Sequence, residues 1–298
     1  MTIPVIDLED FPGQSQALVR ACEEWGCFRI VNHKIPSLLL SEMKSVVRSL
    51  FNLPMEIKCR NTDVIASSGY WPPSKENPFY EAFGLFDVAS PQAVETFCTQ
   101  LGASPQQRET ILSYSRAMNE LGLEIGQKIA EGMGLDCELT KGWPCQFRIN
   151  RYNFTPDTVG SPGVVMHTDS GFLTILQDDE SVGGLEVMDK AGAFVVVEPK
   201  PGTLLVNLGD MATLWSNGRF YNVKHRVQCK EAITRFSIAM FVLGPKDSAV
   251  EAPPEFVDSE HPRLYSPITF EDFRDLRFST GSRAGEALEH VRLQPAGP

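Results

Sequence analysis

Residues 145–179 read CQFRINRYNFTPDTVGSPGVVMHTDSGFLTILQDD, and this stretch decides the fold. Phe147 and Ile149 fall on one side of an extended chain, and Arg148, Asn150 and Tyr152 on the other. That is the two-residue period of a β-strand. The rhythm continues over 164–169, 172–178, 185–188, 193–198, 203–208, 222–228 and 233–243, with Gly, Pro, Asp and Asn clustered between the segments. Roughly eight short strands at such spacing predict a jelly roll or barrel, a mainly β core with helices flanking it.

Working outward, the first 140 residues are mostly helical by pattern, with short strands expected at Ile3–Leu8 and Cys27–Val31. A helix over 14–25 would place Ala17, Ala21 and Trp25 on one face and stop at Gly26. A second, opened by Pro36 and Ser37, carries Leu39, Met43, Val46, Val47 and Leu50 as a buried stripe. Ser104 and Pro105 form an N-cap and first turn. The helix they open carries Ile111, Met118, Gly122, Ile125, Ile129 and Met133, and Gly134 ends it. Residues 61–89 hold Tyr70, Trp71, Phe79, Tyr80, Phe83 and Phe86 among glycines and prolines. They read as an irregular loop, either a lid or aromatic plugs at the edge of a core. Beyond Pro245 lie one or two short helices, including Phe270–Leu276 behind a Thr269 cap. The expected organisation is one domain over 1–298: a helical portion 1–140, a jelly-roll core 145–243 carrying the functional site, and a helical tail 245–298.

The chain has 298 residues, 42% hydrophobic and 22% charged, ordinary for a folded globular protein. Its net charge of -11 repels nucleic acid and anionic membrane, so neither is an expected partner, and any anion must meet a local cationic pocket. The seven cysteines are odd in number and form no CxxC pair, which reads as free thiols in a reducing compartment. The N-terminal stretch is short and acidic, without the pattern of a secretory signal, and no apolar run reaches membrane-spanning length. The cytoplasm is the expected location.

His167-Thr168-Asp169 lies on a predicted strand, so the imidazole and carboxylate share a face. His225 sits between Val223 and Val227 on its own face and points inward. Two histidines and one carboxylate leave three coordination positions open, the arrangement suited to ferrous iron in oxygenases. Taken singly, His225 also reads as a core histidine bonded to a carbonyl and Asp169 as a turn residue. The same donors could hold catalytic zinc in a hydrolase. Arg235 and Ser237 share a face of the last strand, opposite Phe236, Ile238, Met240 and Val242. An arginine pointing into a barrel needs an anion, either a protein carboxylate or a ligand gripped by its planar fork. Tyr152 is placed to add a hydroxyl, and Asn150 shares its face.

These motifs resemble the plant 2-oxoglutarate and iron(II)-dependent dioxygenase superfamily. The resemblance runs through IPVIDL, CEEWGCFRIVNHKIP (Cys22–Pro36), FNLPMEIK (Phe51–Lys58), RINRY (Arg148–Tyr152), HTDSGFLTILQDD (His167–Asp179), GGLEV, LLVNLGDMATLWSNGRFYNVKHRV and RFSIAMF. It implies a double-stranded β-helix core, with His167, Asp169 and His225 holding Fe(II). It implies Arg235, Ser237, Tyr152 and Asn150 around 2-oxoglutarate, with O2 as oxidant, a small-molecule substrate and ascorbate as an activator. The chain departs from the family at Asn153 and Phe154, where prolines and a cysteine are usual, and at Lys34, where NHGIP becomes NHKIP. His33 in that motif reads as structural. The stretch MHTDSGFLTILQDDESVGGLEVM and the compact length look most like the auxin dioxygenases, which convert indole-3-acetic acid to 2-oxindole-3-acetic acid. An aromatic slot for such a substrate is expected from Phe79, Phe83, Trp215 and Phe241. A gibberellin, a flavonoid or another small metabolite is the alternative substrate, and a non-catalytic ligand-binding protein the more remote one.

Overall fold

The structure is a computed structural model that describes residues 2–294. The chain opens with strand β1 (Val5–Asp7), helix α1 (Ser15–Glu24), strand β2 (Cys27–Val31) and helices α2 (Ser37–Phe51) and α3 (Met55–Lys58). Strand β3 (Tyr80–Phe86) and helices α4 (Pro91–Gln100) and α5 (Pro105–Gly132) follow. The β-rich stretch is β4 (Cys145–Asn153), β5 (Pro162–His167), β6 (Leu173–Gln177), β7 (Leu185–Met188), β8 (Phe194–Val196) and β9 (Leu204–Leu208). A short helix α6 (Asp210–Trp215) leads to β10 (His225–Gln228) and β11 (Thr234–Val242). Helices α7 (Phe270–Thr280) and α8 (Ala287–His290) close the chain.

The strands form two sheets, β1-β2-β9-β6-β11-β4-β3 and β5-β10-β7-β8. The jelly roll expected from the strand rhythm, a double-stranded β-helix as the resemblance implies, is therefore present. It recruits more of the chain than residues 145–243, because β1, β2 and β3 all join the larger sheet. The eight strands read from the sequence are all found. The main correction is β3, inside the segment taken for an irregular loop. It pairs antiparallel with β4 from Tyr80↔Tyr152 to Phe86↔Gln146.

Each side of the larger sheet buries a different core. Phe147, Ile149, Leu173, Ile175, Leu204, Val206, Ile238 and Met240 face the helices. Tyr152, Leu176, Leu205 and Ala239 face the smaller sheet and meet Leu185, Val187 and Val227. Central strands β6 and β9 are buried on both sides and are mostly apolar, broken by Thr174 and Gln177 in β6 and Asn207 in β9. Helix α2 buries Leu40, Met43, Val46, Val47 and Leu50, close to the expected stripe. Helix α1 buries Leu18, Val19, Ala21 and Cys22, a face turned from the one centred on Ala17 and Trp25. Ser104 caps α5 with a reciprocal Gln107 bond, worth ~1 kcal/mol. Lys34, the departure from the NHGIP motif, sits at φ 61°, a left-handed conformation that glycine adopts without cost. His33 is buried, and its Nδ1 accepts the Ile35 N–H at 3.3 Å. No helix among the described residues is long and apolar enough to cross a membrane.

Candidate active site

A cleft of about 590 Å³, its open mouth included, lies between the two sheets. The smaller sheet brings His167, at the end of β5, opposite His225, at the start of β10. Their ring centroids are 4.2 Å apart. Asp169 completes the group, with one candidate donor atom from each residue lying within 4.8 Å of the others. Asp169 does not reach the site by strand pleating, because β5 ends at His167. It stands in the turn beyond, where Thr174 Oγ1 donates to its Oδ2 at 2.5 Å and its own carbonyl accepts the Asp210 N–H at 2.8 Å.

The imidazoles are oriented for ligation. His167 Nδ1 bonds to the Val165 carbonyl at 2.9 Å, and His225 Nδ1 to the Val223 carbonyl at 3.1 Å. A carbonyl only accepts, so both Nδ1 atoms carry a proton, and in the neutral ring the Nε2 lone pair is the one left for a metal. Each Nε2 lies 3.7 Å from Asp169 Oδ1. Loss of hydration, helped by the neighbouring His225, pushes the His167 pKa down to about 4, so its ring is neutral at neutral pH. Two free imidazole nitrogens and a carboxylate converging on one point fit a divalent first-row metal with room for exogenous ligands.

The far wall is built by β11 and β4, paired Arg235↔Tyr152 and Ser237↔Asn150. Arg235 is 1% exposed. One Nη2 arm pairs with Asp178, so the expected protein carboxylate is there. Yet Nε and Nη1 are buried with no partner among the described residues. Two unsatisfied guanidinium nitrogens are expensive unless an anion takes their protons. Burial raises the Asp178 pKa, opposed by Arg235. Tyr152 presents its ring 5.1 Å from the Arg235 guanidinium carbon, and burial raises its phenol pKa. Asn150 donates to Ser237 Oγ at 3.1 Å and accepts from Tyr80 at 2.9 Å, so it holds the serine in place.

Of the four aromatic residues expected in a substrate slot, Phe241 lines the cleft. Phe79 packs on Phe154 at 5.5 Å, beside the cleft and not on its lining. Phe83 and Trp215 are corrections. Phe83 is on the helix side of β3, against Phe51 at 4.9 Å and Tyr70 at 5.1 Å. Trp215 is wedged between Phe172 and Phe256 in the large core. Reading residues 61–89 as a loop hid the alternation that turns Phe83 away and Tyr80 inward. The sequence reading also missed Tyr80, Thr174 and Asn207, all on the lining. It placed Arg148 on the inward face without giving it a task. Arg148 lines the cleft and forms no ion pair among the described residues. It donates to the Gly69 carbonyl at 2.8 Å and to that of Ser67, beneath the Trp71 ring.

A facial His-Asp-His group beside a buried arginine with two free guanidinium nitrogens, inside a double-stranded β-helix, defines a class of non-haem iron oxygenase that takes an oxo-acid cosubstrate. Residues 143–244 match the 2OG-Fe(II) oxygenase superfamily, and residues 3–88 match the family described as non-haem dioxygenase in morphine synthesis N-terminal. The chain belongs to the 2OG-Fe(II) oxygenase superfamily and is a 2-oxoglutarate-dependent non-haem iron dioxygenase. It is 54% identical over 295 residues to the 2-oxoglutarate-dependent dioxygenase DAO of rice (Oryza sativa subsp. japonica), covering 97% of this chain and 98% of that one. Gibberellin 2-beta-dioxygenase 5 of the same rice is 31% identical over 300 residues, covering 95% of this chain and 86% of that one. The crystal structure of the rice dioxygenase for auxin oxidation superposes with a TM-score of 0.92 at 53% identity, covering 98% of this chain and 100% of that one. The 2-oxoglutarate complex of dioxygenase for auxin oxidation 1 from Arabidopsis thaliana gives a TM-score of 0.86 at 57% identity, covering 88% and 100%.

Proposed function

We propose that this enzyme oxidises indole-3-acetic acid to 2-oxindole-3-acetic acid, consuming O2 and 2-oxoglutarate and releasing succinate and CO2, and so inactivates auxin. The likeness over nearly the whole chain to dioxygenases named for auxin oxidation carries the choice of substrate. In this reading the whole chain works as one oxygenase domain. His167, Asp169 and His225 would hold ferrous iron, which would supply redox-active open positions for oxygen chemistry, with 2-oxoglutarate and the substrate as the net electron donors. The protein's share is orientation, charge and exclusion of water. Arg235 Nε and Nη1, with the Ser237 and Tyr152 hydroxyls, take the far carboxylate of 2-oxoglutarate, a charge-assisted fork that fixes the cosubstrate's reach towards the triad. Asn150 keeps Ser237 aimed. Phe241 and Leu176 offer the substrate apolar surface. Arg148, paired with no acid among the described residues, offers a cation to the substrate carboxylate. Ascorbate acts as an activator. Seven free thiols, five of them buried, fit a cytoplasmic setting, and nucleic acid and membrane have no part in the reaction.

The decisive experiment is 2-oxoglutarate turnover with ferrous iron and ascorbate on a panel of indole-3-acetate, a gibberellin and a flavonoid. Succinate formation dependent on indole-3-acetate, with mass-spectral gain of one oxygen, is expected. Turnover with a gibberellin and none with indole-3-acetate would move the substrate to that of the 31% identical relative. Arg148→Met is expected to raise KM for indole-3-acetate about tenfold or more and leave KM for 2-oxoglutarate unchanged. Equal effects on both would assign Arg148 to the loop it pins.

A further inference from the structure

The turn between the two ligands on β5 and its exit has an unusual support. Thr168 has left the β-ladder, so no neighbouring strand holds it. Its N–H donates to the Arg283 carbonyl at 2.8 Å, its carbonyl accepts from Arg277 Nη2 at 2.9 Å, and its hydroxyl accepts from Arg277 Nη1 at 3.2 Å. All three polar groups of the residue between His167 and Asp169 are therefore held from the C-terminal segment. Arg277, in the last turn of α7, pairs through Nη1 with Asp210, which is fully buried. Asp210 in turn accepts from Asn222 Nδ2 at 2.7 Å and gives its N–H to the Asp169 carbonyl at 2.8 Å. Gly209 makes this approach possible, because a Cβ there would lie 2.6 Å from the Asp169 carbonyl oxygen and 2.3 Å from that of Gly171. The guanidinium thus grips one side of the turn and the Asp210 backbone the other.

We propose that Arg277, locked by Asp210, is a positioning residue for the metal site, fixing the spacing of His167 and Asp169 through Thr168. The proposal rests on reading the triad as the metal site. A planar fork suits the task, since it reaches a carbonyl, a hydroxyl and a carboxylate at fixed angles. Asp210 also offsets the cationic charge, which would otherwise oppose a dication nearby. Groups that orient metal ligands without touching the metal typically change affinity about 10–100-fold when removed.

The test is Mn(II) affinity of the full chain, measured by the loss of the free-ion resonance signal. Arg277→Lys keeps a charge facing Asp210 and loses the fork. The pair Arg277→Met with Asp210→Asn removes both charges together, so no lone carboxylate is left buried. Both are expected to bind Mn(II) about 10–100-fold more weakly, with the circular dichroism of the metal-free protein unchanged. Arg274→Gln, one turn earlier and bonded to the Ala66 carbonyl, is expected to bind within about twofold of the unaltered chain. Unchanged affinity in a folded Arg277→Lys, or an equal loss in Arg274→Gln, would overturn the proposal. Failure of the unaltered chain to bind Mn(II) would instead remove the metal-site reading underneath it.

Discussion

Arg235 is the residue on which the cosubstrate end of the site turns. It is the largest fully buried side chain, and Asp178 satisfies one arm alone. Replacing it with Gln leaves the ladder of β11 intact and removes the charged fork. The expected result is an increase in the 2-oxoglutarate concentration needed for half-maximal rate, by roughly thirtyfold or more, equivalent to about 2–5 kcal/mol. Initial rates against 2-oxoglutarate check this, and a lower rate at unchanged half-saturation would contradict it. Lys34 is a second case. Its left-handed backbone carries a Cβ where none is wanted, so Lys34→Gly is expected to be neutral or to stabilise the fold by up to about 1 kcal/mol. Thermal unfolding reads the outcome. The three donor residues of the triad were legible in combination, since HTD and the later inward histidine gain weight only with Arg235, ten residues on, and Ser237, and each alone also reads as structural. Asn207 and Thr174 were not, since an ordinary polar residue on a buried strand carries no local mark of the cavity it faces.

Among elements, β3 was the one the sequence concealed, and its burial explains why. Tyr80 faces the cleft and Phe83 and Leu85 face the helices, so both sides are aromatic or apolar and the alternation vanishes. Glu81 adds a charge in mid-strand, yet it is 2% exposed and satisfied by Lys58 at 2.8 Å, Arg151 and Tyr70. Helix α6 escaped for a different reason. It has six residues, all buried, too few turns for a helical period to be read. The strands of 145–243 were legible because most have one wet or cavity-facing side. The role of β3 can be tested at Gly84, where an added Cβ would sit 1.7 Å from the Ser68 carbonyl oxygen. Gly84→Ala is expected to cost about 1–3 kcal/mol as the 61–71 segment is pushed off the strand. Calorimetry should show a fall of a few degrees, and an unchanged midpoint would mean that the segment shifts freely.

For the whole molecule, the cleft couples stability to acidity. The His167 pKa is about 4 in the fold against 6.5 for an unhindered ring. Between those values the unfolded chain binds a proton that the folded chain refuses. Stability of the metal-free protein is thus complete above pH 6.5, falls on acidification from 6.5 to about 4, and loses no more from this group below that. Melting curves in chelator across this range are expected to show the decline, and His167→Gln is expected to flatten it. A wild-type curve no steeper than that of the variant would refute the assignment.

The order in which the sheet can close has a practical outcome for making the protein. Strand β2 is apolar apart from Arg29 and almost wholly buried, and its inner neighbour is β9. Arg29 and Thr203, which bond across that seam at 2.7 Å, stand 174 residues apart in sequence. On the ribosome, Cys27–Val31 must therefore wait unzipped while most of the chain is still being translated, its amides and side chains open to any other nascent strand. Recombinant yield should respond to slower synthesis at low temperature and to chaperone supply more than to any change near the iron ligands.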